Sequence, residues 1–196
     1  MENNSIKTSN KTLMERARES LAGKWGIAIG AAAIYMAIST VVGGMKGIGQ
    51  LLSLLASGPL ALGLCIFSVS ISRGKEVKIN QLFEGFRRFS TALAAYLIVM
   101  LFTILWTLLF IVPGIIAALS YSQTFYILAD DQAIGAGDAI KKSKKMMDGY
   151  KWKYFCLCFR FIGWGLLSML TLGIGFLWLM PYMQVSMAKF YDDIKG

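Results

Sequence analysis

The stretch ALAAYLIVMLFTILWTLLFIVPGIIAALSYSQTFYILA, residues 92 to 129, runs thirty-eight residues without one charged side chain. As a single helix at 1.5 Å per residue it would measure about 57 Å, nearly twice a hydrocarbon core of about 30 Å. One crossing cannot use it all. Pro113-Gly114 interrupts it near the middle, where proline breaks the hydrogen-bond ladder and glycine turns freely. Cut there, the run gives 92–111 and 114–129, each close to one crossing. Flanking charge favours this cut over one kinked helix. Arg73, Lys75, Lys78, Arg87 and Arg88 precede the run, and Lys141, Lys142, Lys144, Lys145, Lys151 and Lys153 follow it. Basic loops stay on the cytoplasmic side. Two flanks on one side need an even number of crossings, so the run reads as a helical hairpin with Pro113-Gly114 at the outer surface.

Composition agrees. Of 196 residues 56% are hydrophobic and 16% charged, too apolar for an ordinary soluble domain. The net charge of +9 sits in short blocks between apolar spans, the distribution of loops beside anionic lipid and not of a nucleic-acid footprint. The first twenty-four residues are polar, with no cleavable signal. Cys65, Cys156 and Cys158 lie in apolar segments without a second ligand pair, so neither a disulfide framework nor a zinc site is expected.

Taken in order, 1–24 reads as a polar N-terminus followed by an interfacial helix, with Leu13, Met14, Ala17 and Leu21 on one face and Glu15, Arg16, Arg18 and Glu19 on the other. Residues 25–190 form one membrane domain with spans at 25–42, 48–72, 92–111, 114–129, 154–172 and 174–189, and 191–196 is a cytoplasmic tail. In the first span, Gly26 and Gly30 with Ala31 to Ala33 are expected to let a neighbouring helix of the chain approach. Pro59 is expected to kink the second span and Pro181 lies in the sixth. Residues 43–47 are the first outer turn. Ile79, Leu82, Phe83, Phe86 and Phe89 mark a second interfacial helix. A third is capped by Asp138, with Ile140, Met147 and Tyr150 facing the bilayer. Counting basic residues then leaves Lys46 alone outside and Arg160 within a span, with both termini inside.

A weak internal repeat follows the same division. Phe83-Glu84-Gly85-Phe86 is similar to Met147-Asp148-Gly149-Tyr150, Pro113 matches Pro181, and Phe125-Tyr126 matches Phe190-Tyr191. The N-terminal helix and first two spans would be a more diverged copy.

The residues also carry a family resemblance. Ala17-Arg18, Leu21 to Trp25, Gly58-Pro59-Leu60, Leu62-Gly63, Arg73-Gly74, Phe83 to Phe86, Pro113-Gly114-Ile115, Tyr121-Ser122, Ala139 to Gly149 and Pro181-Tyr182 resemble the bacterial integral-membrane proteins grouped as domain of unknown function 975. The resemblance covers nearly all the chain. It implies an all-α, polytopic protein of the bacterial cytoplasmic membrane, and offers no catalytic residues to carry over.

The chemical inventory points away from an enzyme and from any cofactor. Histidine is absent, removing the commonest general base and metal ligand. The spans hold no Asp or Glu, the usual proton relay. Asp130-Asp131 and Asp192-Asp193 read as solvated boundaries of spans. Arg160 is expected to snorkel to the interface. Ser120, Ser122, Gln123 and Thr124, with Gln184 and Ser186, read as hydrogen-bonding polar residues between helices. Arg87, Arg88, Lys141, Lys142, Lys144 and Lys145 are the expected contacts to anionic lipid or a membrane protein partner. The expected role is a non-enzymatic scaffold or accessory subunit. The alternative is a small transporter or a permease-like subunit of an exporter, with a membrane-embedded enzyme a distant third.

Overall fold

The structure, a computed structural model, describes residues 8–44, 48–171 and 173–195. The N-terminal residues 1–7 and most of the outer turn at 43–47, Lys46 included, lie outside the described residues. Every regular element among those described is helical: α1 (Asn10–Leu21), α2 (Trp25–Gly44), α3 (Ile48–Ser72), a 3-10 segment (Ile79–Arg88), α4 (Phe89–Leu109), α5 (Ile111–Tyr121), α6 (Thr124–Asp130), α7 (Ala136–Met146), α8 (Lys151–Leu170) and α9 (Phe176–Lys195). Four stretches are long and apolar enough to cross a membrane: Gly49–Ser72, Ile79–Leu109, Ile111–Asp130 and Lys151–Leu170. A fifth arises if α1 and α2, bent by 100° at Ala22 to Lys24, count as one broken span.

The long uncharged run does fold back on itself, but not at Pro113-Gly114. The break is Phe110, extended at φ −156° and ψ 144°. Pro113 is the third residue of α5, in the first turn, where its missing N–H leaves no intrahelical bond unmade. Gly114 serves the fold by proximity, since a Cβ there would sit 2.1 Å from Thr107 Oγ1 of α4. The segment 114–129 is likewise not one helix. It is divided at Ser122-Gln123 into α5 and α6.

The helices sort into inner and outer sets. In α3, 61% of the most apolar window is buried within the protein, against 11% for the stretch containing α4 and 17% for α8. The inner helix α3 packs on both α6 and α9, and Tyr126 of α6 stacks on Tyr191 of α9 with ring centroids 5.8 Å apart. Each amphipathic segment then docks chiefly on one element: α1 on α9, the 3-10 segment on α3, and α7 on α6, with α4 and α5 beside it. This corrects the expected faces. Ile140 and Met147 point into the protein, not toward a bilayer, alongside Ala139 and Ser143. Leu13, Ala17 and Leu21 are covered by α9 and its neighbours. Asp138 is not the cap of α7; Gly135 precedes the helix and Asp138 sits in its first turn.

The 79–89 region is a 3-10 segment as far as Arg88 and not an α-helix. Only Leu82 of its five apolar residues is buried, while Ile79, Phe83, Phe86 and Phe89 stay exposed. The segment lies backbone against backbone on α3, which no side-chain pattern encodes. A Cβ on Gly63 would fall 1.8 Å from the carbonyl oxygen of Leu82, and one on Gly85 would fall 1.9 Å from that of Pro59. Pro59 remains inside a continuous α3. By contrast, Gly26 and Gly30 have nothing within 4 Å of a built Cβ. The small residues of α2 that this chain covers are Ala28, Ala31 and Ala32.

Overpacking a close backbone contact typically costs about 1–3 kcal/mol. Gly63→Ala and Gly85→Ala are therefore expected to lower the thermal unfolding midpoint in detergent by several degrees or abolish folding. Gly26→Ala should leave it unchanged or raise it.

Candidate functional site

The charged residues gather at one end of the bundle, where α3, α6 and α9 finish. Arg73, just past α3, places Nη1 2.5 Å from Asp130 Oδ1 at the end of α6, and Nη2 2.8 Å from Asp192 Oδ1 near the end of α9. Tyr191 donates its hydroxyl to Asp130 at 3.0 Å, Lys195 also pairs with Asp130, and Ser72 donates to Asp192 at 2.8 Å. Lys189 donates to the Ser72 carbonyl oxygen. Of the four acids expected to be solvated boundaries, Asp130, Asp192 and Asp193 are instead ties between helices. Hydrogen bonding to Asp130, reinforced by Asp192, holds the Arg73 guanidinium protonated more firmly than an ordinary arginine, against partial desolvation.

Asp193 ties the N-terminal segment to α8 and α9. It accepts from Thr8 Oγ1 at 2.6 Å and from Lys153 Nζ at 2.8 Å, and Asn10 donates to the Lys153 carbonyl at 2.8 Å. Burial pushes its carboxyl up, but Lys153 and Thr8 outweigh that and hold it below the usual carboxylate range. Asp131 makes a local turn contact, accepting from Ala133 N–H at 3.0 Å.

The expected basic contacts divide by environment. Lys141, Lys142, Lys144 and Lys145 all stand exposed on α7, and Arg87 is exposed on the 3-10 segment. Lys141 pairs with Asp138 at 3.5 Å. Arg88 turns inward: its guanidinium donates to the carbonyls of Leu128, Asp131 and Ile134 at 3.0, 3.2 and 2.6 Å, satisfying the orphan acceptors at the end of α6. Arg160 is exposed on α8.

The polar residues of 120–124 meet α7. Ser143 is fully buried, donates its hydroxyl to the Ser120 carbonyl at 2.8 Å and accepts from Gln123 N–H at 3.2 Å. One hydroxyl thus bridges the break between α5 and α6. Ser122 and Thr124 bond the carbonyls of Leu119 and Tyr121, both at 2.8 Å, while Gln184 accepts from the Tyr126 hydroxyl at 3.1 Å. Ser143 carried no signal as a site residue, because a serine among lysines reads as part of a solvated face. Among the described residues no group of three or more Cys, Asp or Glu is placed to hold a metal ion.

Losing hydrogen bonds to charged partners costs about 1.5–3 kcal/mol each. Arg73→Gln is expected to destabilise the fold by roughly that much, read as a lower unfolding midpoint, and Ser143→Ala by about 1–3 kcal/mol through the unsatisfied carbonyl and N–H it leaves. Because the Asp193 carboxyl is depressed in the folded state, its contribution is complete above the ordinary carboxylate value of about 3.9 and is lost as pH falls below it. The unfolding midpoint should therefore drop more steeply below about pH 4 in the native chain than in Asp193→Asn.

No curated protein and no solved structure matches this chain. The model of the family described as "Protein of unknown function (DUF975)" matches residues 1–120 and again residues 108–196. Together these matches take in the whole chain, which belongs to the DUF975 family.

Proposed function

We propose that this chain is a six-span, non-enzymatic protein of the bacterial cytoplasmic membrane with both termini inside. It serves as a scaffold or accessory subunit whose basic face contacts anionic lipid and a protein partner. The observation that carries the reading is α7: one face is locked into the protein through Ala139, Ile140, Ser143 and Met147, and the other displays Lys141, Lys142, Lys144 and Lys145 outward. A rigid helix presenting four lysines is a built surface for anionic headgroups or an acidic partner.

Six crossings and a common cytoplasmic face are supported by the meeting of Arg73, Asp130 and Asp192, which puts the ends of α3, α6 and α9 at one surface. Each of these helices then returns from an outgoing partner: α2, α4 or α8. The docking of α1, the 3-10 segment and α7 on successive return helices supports three diverged copies of one unit. The exposed apolar faces of α4 and α8 suit lipid.

A small transporter is the second reading, and one observation favours it. Gln123 is fully buried and its Oε1 has no hydrogen-bond partner among the described residues. The other polar groups a path would use, Ser143 and Gln184, bond their neighbours.

Single cysteines introduced as Gln132→Cys and Phe110→Cys, with the native cysteines replaced, should label from opposite sides of sealed vesicles; labelling from one side overturns the topology. Native mass spectrometry from mild detergent should show a retained protein partner that the Arg87, Lys141, Lys142 and Lys145 to Gln variant loses. Retention unchanged by that variant, together with substrate flux in liposomes that Gln123→Leu abolishes, would replace this reading with transport.

A further inference from the structure

Two grooves on the flanks of the bundle, away from the Arg73 ties, are assembled from corresponding parts. The first, ≈ 430 Å³, lies where Arg18 of α1 and Trp25 at the start of α2 meet the α8–α9 pair, with Trp164 and Tyr182 in its walls. The second, ≈ 210 Å³, lies where Lys144 of α7 and Lys151 at the start of α8 meet the α4–α5 pair, with Trp106 and Tyr121 in its walls. Each groove therefore combines a cation from an amphipathic helix, the first residue of the next helix, a tryptophan from an outgoing helix and a tyrosine from a return helix.

The correspondence extends through the chain. Trp25 lies seven positions after Arg18, and Lys151 seven positions after Lys144. Between them, in the same register, Gly23 and Gly149 both take left-handed conformations with φ of 75° and 78°, which a residue with a side chain rarely adopts. Ahead of them the buried positions repeat at four-residue spacing: Leu13, Ala17 and Leu21 in α1, and Ala139 and Ser143 in α7 with Met147 just past its end. Arg18 directly follows Ala17 as Lys144 directly follows Ser143. The two cations are thus held in the same attitude, each beside the slot of a different hairpin.

Chemistry names the occupant. Arg18 and Lys144 are exposed, and neither has an ion pair among the described residues. A cation at the mouth of an apolar slot leaves half the site unanswered for a neutral hydrocarbon, and a free anion makes no use of the slot. Tryptophan and tyrosine belong at the membrane–water boundary, where one end of a ligand is wet and the other apolar. The larger groove falls in the range of about 300–1,000 Å³ typical of small-ligand sites. We propose that both grooves are equivalent binding sites for an anionic phospholipid, its phosphate at Arg18 in one and at Lys144 in the other, with an acyl chain along the tryptophan-lined slot. This rests on the membrane placement given above and deepens its lipid contact, moving it from a diffuse basic surface to two built sites.

The protein carries its own reporter. Of its five tryptophans, Trp25, Trp164 and Trp178 line the first groove and Trp106 the second. The full chain is reconstituted in phosphatidylcholine vesicles containing a minor fraction of phosphatidylglycerol, with bromine on the acyl chains of one lipid or the other. At equal mole fraction, brominated phosphatidylglycerol should quench tryptophan fluorescence more strongly than brominated phosphatidylcholine. Arg18→Gln should remove most of this excess, and Arg18→Gln with Lys144→Gln all of it. The variant Arg16→Gln with Lys145→Gln loses the same charge outside the grooves and should keep the excess. An excess that survives in the groove variant overturns the proposal, as does one lost equally in the control; the latter result leaves the general basic-surface reading standing. Circular dichroism and a monodisperse gel-filtration peak establish that the groove variant is folded. Native mass spectrometry supplies an independent count: the native chain should retain phosphatidylglycerol that the folded groove variant has lost, and equal retention by the two overturns the sites.

Discussion

The guanidinium of Arg73 is the tie on which the arrangement of the bundle depends. It lies just past α3 and holds two carboxylates from helices far apart in sequence, Asp130 ending α6 and Asp192 near the end of α9. Apolar helices slide and rotate against one another at little cost when their surfaces are similar hydrocarbon, so dispersion alone specifies register weakly. A planar fork with fixed donor directions does specify it. Lys195, Tyr191 and Ser72 complete the acceptors' partners, and Asp193 extends the network to Thr8 and Lys153. The first described residues and the last are thereby held together at the same end as the helix termini.

Below that end, the bundle is closed by contacts that depend on missing side chains. Gly63 and Gly85 let the 3-10 segment lie against α3 with carbonyl oxygens where Cβ atoms would be, so α3 is covered there by backbone and not by a row of leucines. This is why an inner helix is buried while α4, which follows the segment directly, remains largely exposed. The fold spends its polar side chains in the same economical way. Arg88 satisfies three carbonyls in and after the last turn of α6, and Ser143 spans the break between α5 and α6. A broken helix at depth is tolerated only when other groups take up its freed backbone.

Much of the plan was legible in sequence because it follows from length and charge. A thirty-eight-residue uncharged run exceeds one crossing, and the run does turn back on itself. The boundaries of the second span, 48–72, coincide with α3. The location of the turn was not legible, because proline fits the first turn of a helix as well as it fits a loop, and Phe110 carries no turn signal of its own. The amphipathic faces of α1 and α7 were visible as patterns, but a pattern states only that one face avoids water. Whether bilayer or protein covers it depends on where the neighbouring helices lie.

The site divides along the same line. Arg88 and Lys141 are both basic residues in basic blocks, and nothing local distinguishes them; one ends among carbonyls and the other in solvent. Asp130 and Asp192 look like ordinary boundary acids until Arg73 is placed between them. By itself, the sequence determined the apolar runs, their all-helical character and the concentration of charge outside the longest apolar runs, since hydropathy and helix length are sums over local residues. Only the tertiary structure decided which helices are inner, where the chain breaks, which basic residues are spent holding the fold, and which flanks form grooves. Each of those turns on distances between residues that local chemistry does not bring together.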